Sequence, residues 1–544
     1  MRRYVLTGPQ FRSLAEGGGS PDAIALLTEA QLSARRLRLL AVAERWDSLP
    51  VTLRDALHLV METEKVSPAA GLELLRYPFL RAWFGSVVPV LGGRAAEQLG
   101  SLAAATAVCA GVPFELTIDC SGADLHLPRV GTATDVGPAS VPVRFDGTTL
   151  TVGSALKLPV PADESRPGWR PVHHVRLAGH SLEIIDGDAL RDRFPVAPLD
   201  PLPSAALDRL DHLVREAWQL LEDEQPAHAA GMRIALRALV PLRTPEDAAQ
   251  VSASVRGCFG AIGMSIPDDP MTLAELLVHE FQHEKLGALL DLTDLSPGDG
   301  SARYHAPWRP DPRPAHALVQ GVYAFTGVAG FWRACRSRTD DAGTRYFTWR
   351  DHVGYALGQL LDGGELSSEG DRFFRGLDGT LATWRSEEAT PSAIRLSTIA
   401  TQVSWRLAHY RPRDADVDAL VRAWSAARTR PAYGPPVVGA GMPPAELAGL
   451  LERRAAGDGT GYADATEAER AILRGESAVA LRLLPSPVGD REWAAAAVAL
   501  CTPTGDRAIA GRRPDLLRAV FERLDAEPRR PGLSTLHRWL SDEP

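Results

Sequence analysis

The pentapeptide His279-Glu280-Phe281-Gln282-His283 constrains this chain more than any other stretch. Residues four apart lie one turn apart on one face of an α-helix, so both imidazoles can reach a single metal ion. Glu280 then sits beside that ion, where the general base of H-E-x-x-H metalloproteases stands. The local sequence predicts the helix this requires. Thr272-Leu-Ala-Glu275 after Pro270 reads as a capping box, and Leu273, Leu276, Leu277 and Leu286 recur at helical spacing.

At 544 residues the chain is long enough for several cores, and 45% hydrophobic with 23% charged residues is the balance of an ordinary globular protein. The net charge of −9 argues against general nucleic-acid binding, which needs a basic face. No apolar run reaches membrane-spanning length; Leu102 to Val112 is short and Ala-rich. Met1 to Thr7 has no secretory apolar region, and the five cysteines form no C-x-x-C pair. The expectation is a cytoplasmic protein with neither nucleic acid nor membrane as partner.

Along the chain, apolar periodicity predicts helices from Pro21 to about Trp46, Leu53 to Glu64, Pro68 to Gly92 and Arg94 to Cys109. Alternating segments among Gly, Pro and Asp turns then predict a β-rich stretch over about 113–190. His173-His174 falls within it, and adjacent strand residues point to opposite faces, which argues against a shared metal. Helix returns at Leu207 to Glu224, with strands predicted at Arg233 to Pro241 and Val255 to Ile266. After the motif helix comes a proline-rich loop, Tyr304-His-Ala-Pro-Trp-Arg-Pro-Asp-Pro-Arg-Pro314, and a second helix from about Ala315 to Arg336. Pro431 to Pro444 reads as a linker. Beyond it, short helices include one hairpin over 470–481 of tetratricopeptide character. The fold class expected is α+β and predominantly helical, with a zincin-like metal-site core, a β-rich insert and a helical C-terminal module. The expected domains are 1–112, 113–200, 201–430 for the catalytic core, and 431–544.

Two histidines do not complete a metal site. The metzincin spacing would need Gly at 286 and His at 289, where this chain has Leu286 and Leu289. The other common zincin layout takes a glutamate from a later helix, and no glutamate occurs between Glu284 and Glu365. His316 and Gln320, four apart on the second helix, are the candidates for a third ligand. Arg309 and Arg313 could clamp a carboxylate through charge-assisted bonds, or pair with Asp299 or Asp311 as structural ions. Two histidines plus a carboxylate-binding arginine suit an iron oxygenase that uses a 2-oxo acid.

Leu277 to Leu290, Tyr304 to Pro314 and Val319-Gln-Gly-Val-Tyr-Ala-Phe325 together resemble the H-E-x-x-H peptide β-hydroxylases that accompany ribosomally made, post-translationally modified peptides. Flanking support comes from Phe11 to Ala15, Ala30 to Ser33, Val403 to Leu407 and Arg513 to Ala519. Some members are fused behind a radical-SAM maturase; this chain lacks that cysteine spacing and matches the stand-alone form. The resemblance implies an Fe(II)- and 2-oxoglutarate-dependent dioxygenase acting on the β-carbon of a residue in a precursor peptide. Carried onto these positions, His279, His283 and Gln320 would bind iron, with His316 the rival to Gln320. Glu280 would orient a ligand, and Arg309 and Arg313 would hold the 2-oxoglutarate carboxylate. The precursor peptide is the expected partner. The peptide's leader and a maturation partner enzyme are the alternative ligands of the C-terminal module. Two other readings stand beside this one: a zinc-dependent peptidase, resting on the pentapeptide alone, and a non-catalytic scaffold that binds a leader peptide.

Overall fold

The computed structural model describes residues 4–87, 94–137, 139–246, 250–301, 303–443, 446–455, 462, 464–504, 508–526 and 530–542. The protein is mixed α+β, about 59% helical with several small sheets, as the sequence periodicities predict. It divides into two compact units, Met1–Thr293 and Asp294–Pro544. The division falls within the 201–430 stretch, so the motif helix belongs to the first unit and the proline-rich loop to the second.

The first unit opens with helices Gly8–Ala15, Pro21–Ala43, Val51–Val66, Pro68–Arg76, Leu80–Val87 and Arg94–Ala110. The single helix expected from Pro68 to Gly92 is broken at Tyr77, because Pro78 pushes its predecessor out of the α region (φ −57°, ψ 117°). Residues 88–92 lie outside the described residues. The β-rich stretch is present. Phe114–Cys120 leads an antiparallel sheet with Ala139–Phe145, Thr149–Val152 and Leu156–Pro159. Leu116, Ile118 and Cys120 are buried between exposed neighbours and share one core with Leu99, Leu102 and Ala103 of the preceding helix.

A second sheet positions the motif helix. Its order is Ser252–Ser254, Ala261–Met264, Ala238–Pro241, His180–Ile184, His173–Leu177. The three central strands are parallel and both edges antiparallel. His173 bonds Asp211 (3.1 Å) while His174 bonds the Arg129 carbonyl (3.2 Å), so the pair does face opposite ways. The strand expected from Arg233 to Pro241 is shorter, because helix Pro226–Ala235 continues through Arg233. Packing decides this: a Cβ at Gly231 would stand 3.1 Å from the Phe281 ring, so this helix lies tight against the motif helix.

The second unit is built on helices Ala315–Ala334, Ala342–Asp362, Ser368–Glu387 and Ser392–His409. Helices beyond residue 445 share a core with Ser392–His409 and Asp414–Ser425, through Val403, Leu407 and Leu420 against Leu451, Trp493, Leu517 and Phe521. The linker expected over 431–444 is tied down. Val437–Val438 pairs with Tyr410–Arg411, and Arg513, itself bound to Asp515, donates to the Gly434 carbonyl at 2.8 Å; Pro444 lies outside the described residues. The hairpin near 470–481 forms between Glu467–Leu473 and Ser477–Leu483, turning on Gly475 at φ +81°. No helix among the described residues is long and apolar enough to cross a membrane.

Candidate metal centre

The motif helix spans Pro270–Leu290, and its N-cap is Asp269, three positions before the Thr272 that the sequence suggested. Asp269 accepts from the Thr272 backbone N–H at 2.8 Å and from its hydroxyl at 2.7 Å, with Pro270 at the first helical position, where a missing N–H costs nothing. The helix is buried on most of its circumference by Leu273, Leu277, Val278, Phe281, Leu286 and Leu289. Its far end is held by Asp291, which receives Gln31 Nε2 (2.9 Å), Arg256 Nε (2.9 Å) and the Arg81 guanidinium.

His279 and His283 converge as the spacing predicts. Their Nε2 atoms are 3.2 Å apart, with the rings nearly perpendicular at 77°. A metal bonded to both at about 2.0–2.1 Å would subtend an angle of about 100° at that separation, between octahedral and tetrahedral values. Burial, reinforced by His283 alongside, pushes His279 down to about 3. Its ring is therefore neutral and offers a lone pair, as a metal ligand must. The two residues thus fit a metal ion in position, and His279 in protonation as well.

Glu280 is buried next to them, its Oε1 3.9 Å from His279 Nε2. The Ser252 hydroxyl, on the antiparallel edge strand, donates to Oε1 at 2.6 Å, while Oε2 is buried without a hydrogen bond. An oxygen left in that state has acceptor capacity for a ligand or substrate group. Ser252 was not legible as a site residue, since nothing in its local sequence marks it.

Three further polar side chains on the helix are buried and hydrogen-bonded to backbone. Gln282 and Lys285 donate to the Gly17 carbonyl (3.1 and 3.3 Å), and Lys285 also reaches Gly18. Glu284 accepts from the Gly260 N–H at 2.7 Å. Burial pushes Glu284 up to about 8 and Lys285 down to about 7. These bonds fix the rotation of the helix and hence the direction of both imidazoles. Among the described residues, no third His, Cys, Asp or Glu forms a metal-binding group with the histidines.

In the second unit the proline-rich loop closes on itself, Tyr304 and Arg313 exchanging backbone bonds at 2.9 and 2.8 Å. Arg309 and Arg313 both rest on Asp311, at 3.3 and 2.9 Å. The loop is anchored from below. Gln359 bonds both the N–H and the carbonyl of His305 (3.1 and 2.8 Å), and Trp405 Nε1 donates to the Pro310 carbonyl at 3.0 Å. His305 stacks on Trp405 at 4.6 Å, and burial holds its ring well below the ordinary histidine range.

Gln320 is half-buried and His316 exposed on the following helix. Gly321 packs against Trp308: a Cβ there would lie 2.4 Å from the indole. Trp308 in turn meets Phe325 (4.6 Å), which stacks on Trp349 (4.2 Å). The loop and the Gln320-bearing helix are therefore one rigid aromatic assembly. No family model and no curated protein matches this chain.

Proposed function

We propose that this chain is an Fe(II)- and 2-oxoglutarate-dependent hydroxylase that oxidises the β-carbon of a residue in a ribosomally made precursor peptide. The observation that carries the reading is the His279–His283 pair, two convergent nitrogens 3.2 Å apart on a helix locked against rotation. Gln320 is the third ligand in this reading. Three neutral donors leave the full charge of a divalent ion in place, which favours a dianionic co-substrate in the remaining positions. Iron and 2-oxoglutarate, when bound, supply the oxidising power for inserting oxygen into an unactivated C–H bond.

The chain's own residues bind and orient. His279 presents a neutral lone pair beside the converging His283 nitrogen, Ser252 holds Glu280, and Glu280 Oε2 is the acceptor for an O–H or N–H entering the site. Arg309 and Arg313 supply the cationic pair for the distal carboxylate, in place of Asp311. The fold reading that goes with this is a zincin-like core in the first unit.

The zinc peptidase reading has one observation in its favour, the antiparallel edge strand Ser252–Ser254 bonded to Glu280, a layout similar to zincins. Against it stands the missing glutamate between 284 and 365. The test is incubation of anaerobically purified protein with Fe(II), 2-oxoglutarate, O₂ and the short peptide encoded beside its gene. One succinate released per oxygen atom added to the peptide is expected. Peptide cleavage with zinc, without succinate, would overturn the proposal.

A further inference from the structure

The second unit carries a cleft of about 1290 Å³ that the proposed chemistry does not use. Small-molecule pockets occupy roughly 300–1,000 Å³, so this one has the size for a polymer segment. One wall is helix Ala342–Asp362, where Gly354 and Gly358, four residues apart, strip the face to backbone. The opposite wall is helix Ser392–His409, and the segment Pro435–Val438 with Tyr410 closes one side.

Two features of the lining select a ligand. Four guanidinium groups, Arg303, Arg385, Arg395 and Arg406, face two carboxylates, Asp351 and Asp362. Asp351 is already engaged by the Thr390 hydroxyl (2.8 Å) and Arg350 (3.4 Å). Arg395 is exposed and makes no ion pair with any described residue. Arg303 is paired with Asp299 and Glu365, and Arg385 with Asp378, so the charge open to an incoming anion is that of Arg395. The second feature is Gln402, only 5% exposed, whose side-chain amide makes no hydrogen bond with any described residue. Lining the cleft with its amide uncommitted, it has donor and acceptor capacity for a backbone that enters. Gln359, on the other wall, shows the chemistry: its amide grips the N–H and carbonyl of one residue in an extended loop.

We propose that this cleft binds an extended acidic peptide segment, with Gln402 on its backbone and Arg395 on its carboxylates. If the hydroxylase reading holds, on which this one clause rests, the segment is part of the precursor peptide remote from the modified residue.

The experiment is fluorescence anisotropy on the full chain with metal chelated. The probes are a fluorescein-labelled Glu-Ala repeat peptide, its Lys-Ala counterpart and a single-stranded RNA. Saturable binding of the Glu-Ala peptide is expected, weakening with salt and falling about tenfold in Arg395→Glu and several-fold in Gln402→Leu, with circular dichroism unchanged. No binding of the Glu-Ala peptide, or equal binding by Arg395→Glu, overturns the proposal. So does RNA that binds as tightly and is displaced by the Glu-Ala peptide, which would make the cleft a nucleic-acid site. Because metal is absent, failure of the hydroxylase assay leaves this result intact, and the reverse holds.

Discussion

Ser252 and Glu280 are joined by a 2.6 Å hydrogen bond that runs from an edge strand to the middle residue of the metal motif. The bond consumes one carboxylate oxygen and leaves the other buried and unengaged. In Ser252→Ala the carboxylate would be buried with neither oxygen satisfied, at a cost of about 1–3 kcal/mol. Urea unfolding is expected to show that loss. Turnover should fall with it, since Glu280 is then free to swing toward His279 Nε2, 3.9 Å away. An unchanged stability would mean that the serine does not hold Glu280.

Glu280→Gln separates the two chemistries. A general base contributes roughly 10²–10⁴-fold, so a peptidase loses that much while keeping its metal. In the hydroxylase the residue accepts a hydrogen bond, a role a glutamine oxygen also fills, and succinate release should stay within about tenfold of the parent. Metal content and succinate, measured on the same preparation, give the answer.

Removing either imidazole should abolish the centre. His279→Ala and His283→Ala each delete one of two convergent nitrogens, and iron affinity is expected to drop by more than about 100-fold, beyond what loss of a supporting residue produces. Equilibrium dialysis with Fe(II) under argon checks this. Retained stoichiometric iron in both variants would place the metal elsewhere.

Asp311 occupies the place a bound carboxylate would take on Arg309 and Arg313. If those arginines serve 2-oxoglutarate, Asp311→Asn should lower the KM for it several-fold by removing an internal competitor, while Arg313→Ala raises it by about tenfold with iron binding unchanged. All three residues are substantially exposed, so no stability change is expected. A KM that ignores both substitutions would mark the three residues as a surface ion cluster.

The elements of the fold that follow periodicity were legible: the motif helix, the β-rich stretch and the opposed faces of His173 and His174. What one residue contributes to another far along the chain was not. Gln31 of the Ala30–Ser33 segment fixes the end of the motif helix through Asp291, and Trp405 holds the proline-rich loop through Pro310. Both look like ordinary helix residues in sequence, because their meaning lies in partners 260 and 95 positions away. The helix through Arg233 was misread as strand for a related reason. A β-branched and apolar run carries a strand signal, and the contact of Gly231 with Phe281 overrides it. At the candidate centre, the pentapeptide placed two ligands, while Ser252 carried no local mark.

Mild acid should destabilise the protein through its buried histidines, and His352 shows why. It is buried in the second unit beside Trp349, and burial lowers its ring from the ordinary 6.5 to about 4. Between those values the unfolded chain binds a proton that the folded chain refuses, so stability is complete above about 6.5 and is lost as pH falls toward about 4. Each pH unit in that window costs about 1.4 kcal/mol per such group, or about 2 kcal/mol from pH 6.5 to pH 5. His352→Leu keeps an apolar side chain of similar bulk and removes the titration. Its unfolding free energy is expected to fall less than the parent's between pH 7.5 and pH 5, by about 2 kcal/mol. The parent and the variant should therefore give urea midpoints that draw together, or cross, on acidification. Parallel pH profiles would show that His352 takes up its proton in the folded state as readily as in the unfolded one.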